Sequence, residues 1–435
     1  LKLAVNGIPS SAQTAVDLLA AEWDLTVTST AAVQLTVAQG NDGLRISRAA
    51  DTGTIQYSSA ATLLRGLTEW LAHAQNELHF DYQEKAPAAK LGLFLDQHGA
   101  ARLNDAALRQ LLRRAAMLGY DQMLVATMPG TDYATAEHYA HLLGLQFTVT
   151  AWKREDATSP LIGAVVPLYT NRGLAPNQGR LRLTATTPAG DQDMWAAALF
   201  SEGAETPAVT LAWGLQMVAE YHYQTAVTPQ WVAAQFWLMR HEDADGFLAL
   251  DQFDNFKRRG KANREGSNPS KILFYMDWLY PRFWHQFGGV DAEKHYRVLA
   301  DKLASAVTTQ QTRPMYTYYH QLALYLSRKA HVLQTLTDAY RNDDHDEMTG
   351  VISELTVLAD QLDELHDAYW QMWRQERTTF GWHTMDSRFG GLKQRLATTI
   401  DWLNDWQTGQ AAPLVSVPDQ PGKLGFATYG EIVAP

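Results

Sequence analysis

Between Leu91 and Trp152 the chain alternates short, almost wholly apolar runs with stretches of helical period: LGLFLD, LNDAALRQLLRRAAMLG, YDQMLVATM, ATAEHYAHLLG and LQFTVTAW. Strands buried on both faces read as continuous apolar runs, and a helix between successive strands forces parallel pairing with right-handed crossovers. A βαβαβ unit is therefore what this stretch must build. GAVVPLY (163–169) and MWAAALF (194–200) read as two further buried strands, and VTLAWGLQMVAEYHY (209–223) as a covering helix, giving about five strands between residues 91 and 200.

The residues before Leu91 mix both periods. LKLAVN, LTVTSTAAVQLTV, LRISRA and TIQYS read as strands, and SSAQTAVDLLAAEW and ATLLRGLTEWLAHAQ as helices, so residues 1–86 form a small α/β domain. Ser10 or Ser11 is expected to cap the first helix, Gly40 to Gly43 to supply a turn, and EKAPAAK (84–90) to be a linker. After Thr228-Pro229, a cap with proline at the first helical position, the chain reads as helix almost to residue 408. Leu322, Leu326, Leu333, Leu336 and Tyr340 fall on one apolar stripe, and residues 347–376 repeat the pattern. The fold class is α/β plus all-α: an N-terminal α/β domain (1–86), a β/α domain (87–225) and a helical domain with a Pro/Gly-rich tail (226–435).

Composition narrows the chemistry. The net charge is −11 with 19% charged residues and no long basic run, which argues against a grip on nucleic acid or an anionic membrane. Without any Cys, disulfides and thiolate metal sites are excluded. No apolar run reaches the roughly 18–20 residues that span a bilayer, and LKLAVNGIPS lacks the layout of a signal peptide, so the expected location is the cytoplasm or that of an already processed chain. Fourteen Trp, eighteen Tyr and fourteen Phe point towards carbohydrate, since aromatic faces stack on sugars.

Generic motifs are absent: there is no GxGxxG, Walker loop, HExxH or GxSxG. His241 to Gly246 imitates a calcium loop, but its first position would be His241 and its twelfth Gln252, so a solvated connection between helices is expected. The cluster Asp343, Asp344, His345, Asp346 and Glu347 sits where one helix should end and the next begin, and acidic residues there favour the macrodipole. His73, His285 and His331 carry no ligand spacing. Trp231, Trp237, Trp278, Trp284, Trp370 and Trp373 are expected in core or interface.

The order of segments resembles glycoside hydrolase family 20, specifically its bacterial β-N-acetylglucosaminidases. LLRGLTEWLAHAQ is similar to the family's last helix before its barrel, and LGLFLD to its first barrel strand. GLAPN (173–177) and GAET (203–206) resemble the segments around its seventh and eighth strands, and NPSKILFYMDWLY (268–280) and FGWHTMDSRFGGLKQRL (380–396) resemble two segments of its helical domain. The resemblance implies a small α/β domain, a (β/α)₈ barrel and a helical domain. It also implies retaining hydrolysis of terminal β-linked N-acetylhexosamine, with the substrate acetamide as nucleophile. It implies no cofactor and no metal, and self-association as a homodimer.

That chemistry needs an adjacent Asp-Glu pair at the end of the fourth barrel strand. The Asp-Glu dipeptides here are Asp346-Glu347 and Asp363-Glu364, both in the helical region. Glu155-Asp156 is an adjacent acidic pair in reversed order. Residues 91–225 number 135 against the roughly 250 of a complete barrel, so strands four to six are missing. Asp96-Gln97-His98-Gly99 stands where the family has a sugar-binding Arg, and Leu199-Phe200-Ser201-Glu202 where it has Trp-Gly-Asp-Asn, although Glu205 remains. These losses imply a relative whose catalysis is impaired or lost, one that binds N-acetylglucosamine-type sugars or acts as a scaffold. The other reading is an active hexosaminidase whose chain lacks a segment near residues 128–160. The sugar-binding candidates are Asp96, His98, Trp152, Tyr169, Asn171, Glu202 and Glu205, at strand ends where parallel α/β folds put their sites. The substitutes for the catalytic pair are Glu155, Asp156, Glu202 and Glu205. An opened sheet is expected to have its edge or former interior covered.

Overall fold

The computed structural model of the chain describes residues 1–85, 89–97, 102–151, 164–169, 174, 193–198, 206–224, 226–255, 269–279 and 290–411. Two compact units result: Leu1–Thr170 with Gln178–Glu202 and Ala208–Ala244, and Asn171–Asn177 with Gly203–Pro207 and Asp245–Pro435.

The first unit opens with β1 (Lys2–Asn6), α1 (Ser10–Leu19), β2 (Thr26–Val27), β3 (Val33–Gln39), β4 (Leu44–Ala49), β5 (Thr52–Tyr57), α2 (Ala60–Ala74) and β6 (His79–Glu84). Six strands pair in the order β2-β1-β3-β5-β4-β6, parallel except for β4, which runs antiparallel to β5 and β6. In β5 every second side chain is buried, as expected of a sheet with one face in the core. Ser10 and Ser11 do not cap α1. The helix begins at Ser10 with Pro9 in the capping position and no side-chain cap bond, so both serines lie inside the first turn. The next helix does have a side-chain cap: Ser59 caps α2, reciprocated by Thr62. Nor is EKAPAAK a linker throughout: Glu84 closes β6, opposite Leu44, and is buried.

The second sheet is parallel. Its strands are β7 (Leu91–Gln97), β8 (Gln122–Thr127), β9 (Gln146–Ala151), β10 (Ala164–Tyr169) and β11 (Met194–Ala198), with α3 (Asp105–Met117) and α4 (Ala134–Leu142) crossing over between the first three, and α5 (Leu211–Tyr223) and α6 (Pro229–Arg240) following. The order is β10-β11-β7-β8-β9, so the last strand in sequence returns beside the first. β7, β8 and β11 are buried throughout, whereas β9 is largely exposed. Composition follows position in the sheet. One face of the central strands joins the core shared with the helices and the six-stranded sheet, and the other carries Phe94, Leu124, Ala126, Trp195 and Ala197.

The predicted strands are all present, and the connection between β9 and β10 is residues 152–163. Twelve residues reach about 40 Å when extended and have no room for three βα units, each of which with its crossover needs roughly 30 residues or more. Trp195 lies flat on Gly92, its partner across the ladder: a Cβ at Gly92 would stand 2.4 Å from Cε3 of Trp195. Gly92→Ala is expected to destabilise the first unit by about 1–3 kcal/mol through overpacking, read as a lower urea midpoint by circular dichroism.

The second unit is helical among the described residues, with α7 (Ala244–Ala249), α8 (Pro269–Tyr275), α9 (Ala292–Ala304), α10 (Arg313–Asn342), α11 (His345–Glu376) and α12 (Trp382–Gln407). Leu322, Leu326, Leu333 and Leu336 are buried along one face of α10, as their spacing requires. The acidic cluster builds the turn between α10 and α11. Asp343 takes the left-handed conformation that ends one helix, and Asp344 caps the next by accepting from the Glu347 amide at 2.9 Å. The calcium-loop mimic proves less solvated than expected, since Glu242 is fully buried and ion-paired with Arg240. No helix among the described residues is long and apolar enough to cross a membrane.

Candidate functional site

At the C-terminal ends of the parallel strands the structure describes one proposed site side chain. Asp96, one residue from the end of β7, is buried. The next side chain reaches Leu103: Gln97 donates to the Asp96 carbonyl at 3.0 Å and accepts from the Leu103 amide at 2.8 Å. Tyr169 ends β10, pairing with Ala198 after a register shift, two strands from Asp96. The side chain of Tyr169 lies outside the described residues, as do His98, Trp152, Glu155, Asp156, Asn171, Glu202 and Glu205. Thr206, directly after Glu205, has its carbonyl held by the buried Arg377 guanidinium at 2.9 Å, and the Leu174 carbonyl accepts from the Tyr319 hydroxyl at 3.0 Å. These short segments after β10 and β11 belong to the helical unit.

Both Asp-Glu dipeptides lie on α11. Asp346 and Glu347 form its first turn, and Asp363 is exposed and ion-paired to Lys393. Neither stands at the end of a strand.

A second constellation escaped the sequence reading. Arg65 and Glu69 of α2, Glu84 at the end of β6 and Glu220 of α5 meet in the core of the first unit, their side chains between 0% and 6% exposed. Arg65 grips Glu84 with two parallel bonds of 2.7 and 2.6 Å, reaches Glu69 at 2.6 Å, and donates to both Glu220 oxygens at 3.2 Å. Gln216 and Trp231 also donate to Glu220, at 2.7 and 3.1 Å, and Gln224 donates to Glu84 at 2.7 Å. The guanidinium lies 4.7 Å from the centre of the Tyr223 ring, and the Tyr223 hydroxyl donates to the Gly119 carbonyl.

Burial by itself would lower the Arg65 pKa, but Glu220, Glu69 and Glu84 together hold it well above its ordinary value. Burial holds the Glu69 carboxyl well above the usual carboxylate range; Arg65 opposes this, and Glu84 and Glu220 add to it. The three carboxylates offer oxygens within 4.8 Å of one another, a spacing that could take a metal ion. The arginine fork already occupies the space between them, and an ion would have to displace it. The signal was present in the sequence as charges inside apolar helical runs, Arg65 and Glu69 one turn apart in LLRGLTEWL and Glu220 in GLQMVAEYHY.

Residues 245–416 match the family model for the Glycoside Hydrolase 20C C-terminal domain. The chain is glycoside hydrolase family 20-like. The match falls on the helical unit, which contains both segments singled out above for their resemblance to the family's helical domain. No curated protein sequence matches the family 20-like chain. Among solved structures it is similar to a β-N-acetylhexosaminidase from Bacteroides fragilis, at 10% identity and a TM-score of 0.26 over 34% of this chain and 40% of that one. The chain thus spans about two fifths of that hexosaminidase. It is also similar to CpGH84D, at 9% identity and a TM-score of 0.44 over 92% of this chain and 96% of that one. A third is a GH138 enzyme targeting pectin rhamnogalacturonan II, at 7% identity and a TM-score of 0.44 over 93% of this chain and 80% of that one.

Proposed function

We propose that this glycoside hydrolase-like protein has lost or nearly lost hexosaminidase catalysis and binds N-acetylglucosamine-type sugars at the C-terminal ends of β7, β10 and β11. The observation that carries the reading is that both Asp-Glu dipeptides lie within α11, and neither is at the end of a described strand. Substrate-assisted hydrolysis needs one group to orient the acetamide and a second to protonate the leaving oxygen, and a misplacement of about 1 Å can cost ~10²-fold in rate. The strand order supports a shortened barrel-like domain: in a consecutive barrel the last strand neighbours the first, as β11 neighbours β7, and removal of the middle strands leaves the order seen here. In this reading the chain has three domains, 1–86, 87–225 and 226–435. Asp96, His98, Trp152, Tyr169, Asn171, Glu202 and Glu205 contact the sugar, and the helical domain mediates a homodimer.

The test pairs release of p-nitrophenol from the β-N-acetylglucosaminide and β-N-acetylgalactosaminide with calorimetric titration of N-acetylglucosamine and of the thiazoline that mimics the bound intermediate. The expected result is no turnover above a heat-killed control and saturable heat with at least one sugar ligand. Turnover would overturn the reading in favour of an active hexosaminidase and direct mutagenesis to Glu155, Asp156, Glu202 and Glu205. Neither turnover nor binding would leave a scaffold.

A further inference from the structure

The buried cluster holds one guanidinium against three carboxylates. The titratable groups facing it are Arg65 and Glu69 from α2, Glu84 from β6, Glu220, His222 and Tyr223 from α5, and Tyr120 and Asp121 ahead of β8. Lys85, next to Glu84, is exposed. His222 is driven down to about 4, chiefly by burial and further by Lys85 and Arg65, and is neutral at pH 7. Among the described residues, Arg65 is therefore the buried positive charge that answers all three acids.

Donors distribute unequally. Glu220 receives hydrogen bonds on both oxygens, from Gln216, Trp231 and Arg65, and Glu84 on both, from Arg65 and Gln224. Those acceptor sets suit ionised carboxylates. Glu69 receives Arg65 on one oxygen, and a carboxylate oxygen of Glu69 lies within 4.8 Å of carboxylate oxygens of Glu84 and Glu220. With one guanidinium already facing two ionised carboxylates, a third ionised carboxylate beside them would meet strong repulsion.

We propose that Glu69 is a carboxylic acid that donates its proton to Glu84, so that α2 and β6 are joined by a proton-operated link that is closed while Glu69 holds its proton and opens once rising pH removes it. The raised Glu69 pKa agrees in direction. Above the ordinary carboxylate range the folded state then holds one proton that the unfolded state has released. The stabilisation is complete below that range and is lost as pH rises towards the folded-state value.

The test compares the full chain with Glu69→Gln, whose amide can donate to Glu84 at every pH. As pH rises above the ordinary carboxylate range the wild type should lose stability relative to Glu69→Gln, approaching tenfold in the folded-to-unfolded ratio per pH unit within the titrating window. Hydrogen exchange in the α2 and β6 peptides should accelerate over the same range relative to the same peptides of Glu69→Gln at each pH. Infrared spectra of the wild type just above the ordinary carboxylate range should also contain the carbonyl stretch of a protonated carboxyl, a reading that needs no variant to fold. Parallel stability curves for the two proteins would overturn the proposal, and so would a wild-type spectrum without that band.

Discussion

Arg65→Leu is expected to unfold the first unit or to destabilise it by about 3–5 kcal/mol, the range for breaking a buried ion network from one side. The leucine fills much of the volume but leaves Glu69, Glu84 and Glu220 in a pocket where they are 0–6% exposed. The carboxylates must then take up protons or draw in water. The loss should therefore be largest at neutral and alkaline pH and shrink towards pH 4–5. Hydrogen exchange at pH 7 is the measurement of choice, because it reads the units separately. Peptides from α2, β6 and α5 should lose protection, while those from α9 to α12 keep theirs. Arg65→Lys should not rescue the fold, since an ammonium cannot reproduce the two parallel bonds to Glu84 while also serving Glu69 and Glu220. Wild-type protection in Arg65→Leu would mean that the network contributes nothing to the core.

Lys329→Met is expected to weaken the helical unit by about 2–4 kcal/mol at pH 9, since a buried carbonyl left without its donor costs roughly 1–3 kcal/mol. Lys329 is fully buried on α10 and donates to the carbonyls of Phe274 and Met276 at 2.7 and 2.8 Å, its ammonium 4.8 Å from the centre of the Trp278 ring. It thereby ties the end of α8 to the middle of α10. Burial pushes its pKa down to about 7, with Asp277 opposing. A neutral amine has two N–H groups, which match the two carbonyls. Between about pH 7 and the ordinary lysine range the unfolded state holds a proton that the folded state lacks, so this residue's contribution rises with pH through that window. The difference between wild type and Lys329→Met should thus grow from pH 6 to pH 9, opposite in sign to the Glu69 effect in the first unit. A difference that is flat with pH, measured by urea unfolding and by exchange in α8 and α10 peptides, would contradict the assignment.

The strands and long helices could be read from local pattern. LGLFLD and MWAAALF are apolar at nearly every position because both faces of a central parallel strand are covered, and that requirement is written residue by residue. The leucines of α10 recur at helical spacing because one stripe faces the core. β6 was overlooked because HFDYQE is an edge strand with few apolar residues, and its pairing with β4 rather than its own composition makes it a strand. Ser10 and Ser11 misled for a related reason, since a helix boundary moves by a residue or two with little change in local pattern.

Of the proposed sugar site, Asp96 and the strand position of Tyr169 lie among the described residues, and their place at the ends of predicted parallel strands rather than composition brought the others forward. The Arg65 cluster was hidden because its members are distant in sequence. Glu69 is one helical turn from Arg65, but Glu84 is 19 positions away and Glu220 is 155. By itself the sequence determined the element types, the change from mixed structure to helix after Thr228, the family 20-like character and the absence of an Asp-Glu pair before residue 346. The tertiary structure alone decided that β11 lies beside β7 and that three acids converge on one guanidinium. Strand order and charge pairing arise from contacts between segments far apart in the chain, and no local pattern encodes which distant partner completes a ladder or a buried ion.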